Sequence, residues 1–323
     1  MRLQNALIIG CGKIGRTYVE ALMELRIKIS GVADVVSERA ENLAEIAKAK
    51  AYTDYKQMLK DNEDGIVCIS TPTPFHKEAM LTAADSGFDI FCEKPVATTF
   101  SEAKEMIDAA ETNGVELGIG FKMRYECVFA EVKRYLNEGK LGKVQHVYIN
   151  FFQPLPDVDW YLDEGIITGL LVHAMDLTNW FLVSSPKSVK ADAYYFQERK
   201  GEDQAFLEYS YDNGHKAVIS GGYVERFPQI AGDEDLVFEL VCEKGYIIGR
   251  RPNFLLIRDQ KETINKIIKP INAFKQELKV FFDAIAEGNK PPVGGKEGLK
   301  AQAMIDAALE SINNKGLSVK IDV

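Results

Sequence analysis

The sequence predicts an α/β protein of two domains: a doubly wound parallel sheet over residues 1–120, then an α+β domain over residues 121–323 with an open, mostly antiparallel sheet. Three observations predict it. Short apolar runs alternate with amphipathic stretches through the first 120 residues. A glycine-rich turn directly follows the first of these runs. Beyond residue 120 the strands lengthen and arrive in series.

The elements follow in order. Ala6-Leu7-Ile8-Ile9 reads as a buried strand, and Ile14 to Leu25 as a helix. Lys28–Ala33 is the second strand, and Ser37 is the expected N-cap of a helix through Ala47. Gly65–Ser70 is a strand, Pro74–Ala84 a helix ended by Gly87, and Asp89–Cys92 a strand. Ser101 is the expected cap of a helix reaching Asn113-Gly114, and Glu116–Gly120 closes the series. Strands buried on both faces and alternating with helices require a parallel sheet covered on each side. A helix over Val128–Glu138 leads to the longer strand Lys143–Phe152, and Gly169–Val183 reads as helical. Strands follow around Ser188–Gln197, Gln204–Tyr211, Lys216–Tyr223, Leu236–Cys242, Gly245–Gly249 and Phe254–Arg258. Asp212-Asn213-Gly214 marks a hairpin, because Asn-Gly tolerates the positive φ of a type I′ turn. Helices over Asn272–Glu287 and Glu297–Asn313 precede a last strand, Leu317–Ile321.

Composition bounds the partners. A net charge of −9 is the wrong sign for wrapping nucleic acid or an anionic membrane. No stretch of about 18 apolar residues stands out, so no membrane span is expected. The five cysteines, Cys11, Cys68, Cys92, Cys127 and Cys242, form no Cys-x-x-Cys pair and no His-Cys cluster. That argues against disulfides and structural zinc, and fits a reducing cytoplasm. No metal is expected.

Gly10-Cys11-Gly12-Lys13-Ile14-Gly15 has the spacing that binds a dinucleotide pyrophosphate. Glycine permits the tight turn, the close approach of phosphate and the packing of helix on strand, while the helix N-terminus supplies N–H groups. The preceding strand, the following helix and Asp34, nineteen residues beyond Gly15, complete a Rossmann-type unit. Asp34 suits the ribose hydroxyls and repels a 2′-phosphate, so NAD is expected and NADP is the less favoured cofactor. Arg39, on the next helix, could still reach a 2′-phosphate. Ser70-Thr71-Pro72-Thr73-Pro74-Phe75-His76 and Glu93-Lys94-Pro95 each leave a strand at its carboxyl end, where ligands of open α/β sheets bind. His76 alone reads more readily as a packing or capping residue than as a catalytic one.

Taken together these motifs resemble the glucose-fructose oxidoreductase / inositol dehydrogenase (Gfo/Idh/MocA) family across essentially the whole chain. Gly120-Phe121-Lys122-Met123-Arg124-Tyr125, Gly139-Lys140-Leu141-Gly142-Lys143-Val144, His173-Ala174-Met175-Asp176 and Pro291-Pro292-Val293 continue the resemblance. It implies NAD(P)-dependent hydride transfer at a secondary alcohol or ketone of a sugar, polyol or related small molecule. It also implies cofactor contacts from Gly10, Gly12, Lys13, Ile14, Gly15, Asp34, Thr71, Pro72, His76, Glu93 and Lys94. By the same resemblance Lys94 hydrogen-bonds the reacting oxygen, and His173 takes the hydroxyl proton. Asp176, Arg124 and Met123 fall at substrate-binding positions. Face-to-face pairing of the open sheet into a homodimer or homotetramer is the expectation for assembly.

Two departures stand out. Members commonly carry aspartate four residues before the histidine, where this chain has Gly169. Many have arginine where Met123 stands, with Arg124 next. Asp157, Asp159, Tyr161, Asp163 and Glu164 are candidates for a substitute acid, though each reads first as a loop residue. Phe151, Phe152, Trp160, Tyr161 and Trp180 read as core or interface residues. The departures keep two other readings open: a non-catalytic dinucleotide-sensing regulator, and a reductase of a non-sugar substrate.

Overall fold

The computed structural model describes residues 5–155, 159–196, 200–212, 214–224 and 234–322, with backbone alone for 159–162. The chain divides into two compact units, one of residues 1–122 with 272–302, the other of 123–271 with 303–323.

The first unit is built on a parallel sheet of β1 (Asn5–Ile9), β2 (Lys28–Ala33), β3 (Lys50–Tyr52), β4 (Ile66–Ile69), β5 (Asp89–Cys92) and β6 (Leu117–Ile119). Its strand order is β3-β2-β1-β4-β5-β6, so the direction of winding reverses between β1 and β4. That reversal opens a crevice at the carboxyl ends of the strands. The connecting helices are α1 (Lys13–Glu24), α2 (Ser37–Ala47), α3 (Tyr55–Lys60), α4 (His76–Asp85) and α5 (Phe100–Asn113). β3 and α3 went unpredicted, each being too short to show a period. Two caps differ from expectation. Thr99, not Ser101, caps α5 by accepting from the Glu102 N–H. Ser37 is the first residue of α2, where its hydroxyl bonds Glu41.

In the second unit, α6 (Cys127–Asn137) leads to β7 (Val144–Pro154), and α7 (Asp159–Ile166) to a π-helical stretch, Ile167–Leu171, then α8 (Val172–Leu182). The remaining strands are β8 (Pro186–Tyr194), β9 (Gln204–Tyr211), β10 (Lys216–Val224), β11 (Asp235–Cys242), β12 (Gly245–Arg250), β13 (Phe254–Arg258), β14 (Thr263–Ile267) and β15 (Val319–Lys320). They form one sheet, ordered β14-β13-β12-β11-β7-β10-β9-β8-β15 and antiparallel except where β7 meets β10. Along β7 the side chains of Val147, Ile149 and Phe151 are buried, whereas Tyr148 and Asn150 on the other face are exposed. The sheet therefore has one helix-covered face and one open face. The Asp212–Gly214 turn joins β9 to β10, with Gly214 at φ +81°; Asn213 lies outside the described residues, as does the Gln197 end of the predicted β8.

The compact units divide after Lys122, close to the expected boundary, but the second does not run unbroken to residue 323. α9 (Ala273–Glu287) and the start of α10 (Gly295–Asn313) return to the first unit. The apolar stripe of α9 explains this, because Phe281 meets Phe91 at 5.1 Å between ring centroids, and Leu278, Phe281 and Phe282 join the core containing Tyr18 and Leu22. The expectation about membrane spans also needs refinement. Asp163–Leu182 is long and apolar enough by composition, but 83% of it is buried inside the protein, and Gly165 at φ +78° breaks its helical path. It is a core segment of the second unit. All five cysteines are free thiols.

Candidate active site

The nucleotide crevice is assembled from backbone. Gly10, at φ +97°, leaves β1 and donates to the Ala33 carbonyl of β2 at 2.9 Å. A Cβ on Gly10 would lie 2.8 Å from the Ser70 and Thr71 backbone, and one on Gly15 would lie 2.0 Å from the Gly10 carbonyl oxygen. Both positions therefore exclude any larger residue. Gly12 differs, since a Cβ there would meet nothing within 4 Å. Gly12 is also the N-cap of α1 and offers no side chain to the first turn, so the N–H groups around Lys13 and Ile14 face outward without a protein cap. The structure leaves open the place that a pyrophosphate needs.

Ser70, which the sequence reading quoted but gave no role, locks this loop. Its hydroxyl donates to the Gly10 carbonyl at 2.9 Å, and its N–H to Ile9 at 2.8 Å. Asp34 does similar work from β2: Oδ2 accepts the Cys11 N–H at 2.8 Å and Oδ1 the Val36 N–H at 2.9 Å. Each oxygen keeps a further lone pair for a ribose hydroxyl. Cys11 itself is inert as a nucleophile, because burial and the neighbouring Asp34 push its thiol to about 12. Beside the loop, the Thr71 hydroxyl is buried and has no protein partner among the described residues. An uncapped helix start, an open Gly12 and an orphaned buried hydroxyl on one sheet edge fit a dinucleotide.

Two further groups hold the neighbouring turns. Glu93 is buried at the end of β5, where Oε1 accepts a very short hydrogen bond from the Tyr18 hydroxyl and Oε2 accepts the Lys94 N–H at 3.0 Å. Burial pushes its carboxyl pKa up, against the pull of Lys94 and Tyr18. Gly120 makes room for the pair, since a Cβ there would lie 3.1 Å from the Tyr18 hydroxyl. His76, at the start of α4, places Nδ1 3.0 Å from the Pro95 carbonyl and Nε2 2.8 Å from that of Thr71. Lys94 is half-buried between these anchors, at a cis peptide bond to Pro95.

In the second unit, His173 and Asp176 lie three residues apart on α8, hence on one helix face, and both are buried. Arg124 grips Asp176 with two hydrogen bonds, Nε to Oδ2 at 2.8 Å and Nη2 to Oδ1 at 2.6 Å. Trp180 supports the guanidinium from its ring face at 5.5 Å, and Lys133 lies the same distance from that ring. Met123 is buried. Phe151 is core, Phe152 half-buried, and Trp180 belongs to the arginine cluster.

Of the expected substitutes for an acid at Gly169, Asp157 lies outside the described residues, as do the side chains of Asp159 and Tyr161. The same holds for the side chain of Trp160. Asp163 is exposed and Glu164 half-buried. The sequence reading missed Glu202. Its carbonyl accepts the Ile166 N–H at 2.9 Å, and a Cβ on Gly165 would strike its carboxylate at 2.1 Å. Burial raises its pKa to about 6, against a backbone hydrogen bond from Ile167. Glu202 thus holds the start of the helical segment that bears His173, a role with no local sequence motif.

A doubly wound sheet with a crevice fit for a dinucleotide, followed by a second sheet of nine strands among the described residues, defines a two-domain nucleotide-binding protein. Residues 4–121 match the oxidoreductase family model with an NAD-binding Rossmann fold, and residues 129–248 match the GFO/IDH/MocA C-terminal domain. The chain belongs to the GFO/IDH/MocA oxidoreductase family. It is 27% identical to the myo-inositol 2-dehydrogenase of Thermotoga maritima, with 98% of each chain covered. It is likewise 27% identical to the scyllo-inositol 2-dehydrogenase (NAD(+)) of Bacillus subtilis, covering 98% of this chain and 96% of that one. Its fold matches an Agrobacterium radiobacter oxidoreductase solved with NAD+, L-tartaric acid and magnesium, at TM-score 0.91 and 21% identity over 98% of both chains. A levoglucosan dehydrogenase solved with NADH and L-sorbose matches at TM-score 0.89 and 20% identity over 99% of both chains.

Proposed function

We propose that this protein oxidises a secondary alcohol of a sugar or polyol, or reduces the matching ketone, with NAD as hydride carrier. The observation that carries the reading is the carboxyl edge of the first sheet, where the open Gly12 turn and the orphaned Thr71 hydroxyl share an edge with Lys94. NAD supplies the hydride acceptor and donor, the nicotinamide ring. The uncapped N–H groups of Gly12, Lys13 and Ile14 bind its pyrophosphate, Gly10 and Gly15 shape the turn, and Asp34 receives the ribose hydroxyls. Thr71 and Pro72 line the crevice. Glu93 faces Tyr18 and acts through the turn it anchors.

A secondary alcohol is too weak an acid to ionise unaided near neutral pH, so the reaction needs a base and a cation. Lys94 is the cation, hydrogen-bonding the reacting oxygen as negative charge develops on it. His173 is the base that takes the hydroxyl proton. Asp176, Arg124 and Met123 form the substrate-binding element, in which Asp176, fixed by Arg124, binds a neighbouring substrate hydroxyl with its remaining lone pairs. The inositol dehydrogenases similar to this chain support a polyol substrate. The protein acts in the cytoplasm as a homodimer or homotetramer, an assembly supported by exposed Tyr148 and Phe206 on the open sheet face. Sedimentation showing a monomer at micromolar protein would contradict that assembly.

Fluorescence titration with NAD, NADH, NADP and NADPH, followed by an absorbance screen of polyols and keto-sugars, tests the function. Preferential NAD(H) binding with turnover is the expected result. NAD(H) binding without turnover across the screen would overturn the sugar or polyol assignment in favour of a sensor or a reductase of another substrate.

A further inference from the structure

His76 is only 1% exposed, and its two ring nitrogens both point at backbone carbonyls, Pro95 at 3.0 Å and Thr71 at 2.8 Å. A carbonyl has no proton to give. A neutral imidazole has one N–H and one bare nitrogen, so it can satisfy one of these carbonyls and must turn a lone pair toward the other. Only the doubly protonated ring makes both bonds. Burial is the largest influence on the ring and, with the Lys94 ammonium adding to it, lowers its pKa on balance, against the backbone at Thr71, Pro95 and Val96, which raises it. The geometry opposes that lowering, because each exchange of an N–H for a lone pair converts an attraction into a repulsion at the same short distance.

We propose that His76 is carried as an imidazolium whose two N–H groups tie the Thr71–Pro72 turn to the Lys94–Pro95 turn, making it the positioning residue for both edges of the dinucleotide crevice. This rests on the NAD-binding reading above. One turn ends β4 and the other ends β5, so the clamp joins the orphaned Thr71 hydroxyl to the segment bearing Lys94 across adjacent strands. Acidic groups on the neighbouring elements have other partners, so the two carbonyls are what hold the charge. Glu78 on α4 pairs with Lys56 of α3, and Lys77 on α4 pairs with Glu105 of α5. Glu102 of α5 bonds Thr98, and Glu93 at the end of β5 bonds Tyr18 and the Lys94 N–H. Cys68 of β4 and Cys92 of β5 are thiols that burial keeps protonated. The Lys94 ammonium is the charged group that acts on the ring.

The chain has four histidines, His76, His146, His173 and His215, so nitrogen NMR of the 15N-histidine-labelled full chain resolves the question directly. Single His→Gln variants at the other three positions assign the His76 signals even if His76→Gln fails to fold. At about pH 7 both His76 ring nitrogens should carry protons in the cofactor-free protein. NADH affinity should weaken about tenfold as the pH rises through the point where the ring loses its second proton. A bare ring nitrogen at about pH 7 would overturn the proposal, as would full NADH affinity after that proton is lost. The ring's state is read without cofactor, so failure of the clamp is distinguishable from failure to bind NADH at any pH.

Discussion

Arg124 and Asp176 form a two-pronged ion pair, at 2.8 and 2.6 Å, with the side chains only 9% and 2% exposed. A buried pair of this kind contributes little net stability as a unit, but removing one partner strands the other charge away from water. Asp176→Ala should lower the unfolding free energy by about 3–5 kcal/mol, read from urea denaturation. An unchanged midpoint would show that Arg124 has another acceptor able to replace Asp176.

The glycine turn should separate folding from binding. Gly12→Ala introduces a Cβ that meets no protein atom, so the melting temperature should hold while NADH affinity falls at least about tenfold. Gly15→Ala places a Cβ 2.0 Å from the Gly10 carbonyl oxygen, so it should damage stability and binding together. Thermal melts alongside NADH fluorescence titrations distinguish the two outcomes.

Asp34 predicts the cofactor preference. Asp34→Ser removes the charge opposing a 2′-phosphate and weakens the ties to the Cys11 and Val36 N–H groups. The ratio of NADPH to NADH affinity should rise by about an order of magnitude or more. A ratio unmoved by the substitution would place cofactor selection elsewhere, with Arg39 the first residue to test.

Glu202 carries a pH signature. Its carboxyl is raised from 4.5 to about 6 by burial, so the folded protein holds that proton more tightly than the unfolded chain. The stabilisation is full below the unfolded value and is lost as pH rises through about 6, a change of about 2 kcal/mol. Glu202→Gln keeps an oxygen for the Ile167 N–H and cannot ionise. The stability difference between variant and wild type should therefore grow by about 2 kcal/mol in the variant's favour between acid and neutral pH. A difference that stays constant with pH would contradict this.

The first unit was legible because its rules are local. Apolar runs set the strands, and Gly10, Gly12, Gly15 and Asp34 sit at spacings that the turn geometry requires. Lys94 and His173 were reached through the family resemblance, as neither residue carries a local signal of its own. The return of α9 to the first unit could not be seen, because an apolar stripe announces burial without naming its partner. The same limit hid the hold of Glu202 on the His173 segment, the link between Tyr18 and Glu93, and the second carbonyl on His76, since each joins residues distant in sequence.

We propose that Lys94 serves the chemistry rather than the cofactor, and Lys94→Ala is the sharpest probe of that role. Steady-state turnover on the best substrate and NADH affinity should be measured on the same preparation. In the variant kcat should fall by about 100-fold or more with NADH affinity nearly unchanged. Loss of NADH binding with kcat preserved at saturating cofactor would contradict it.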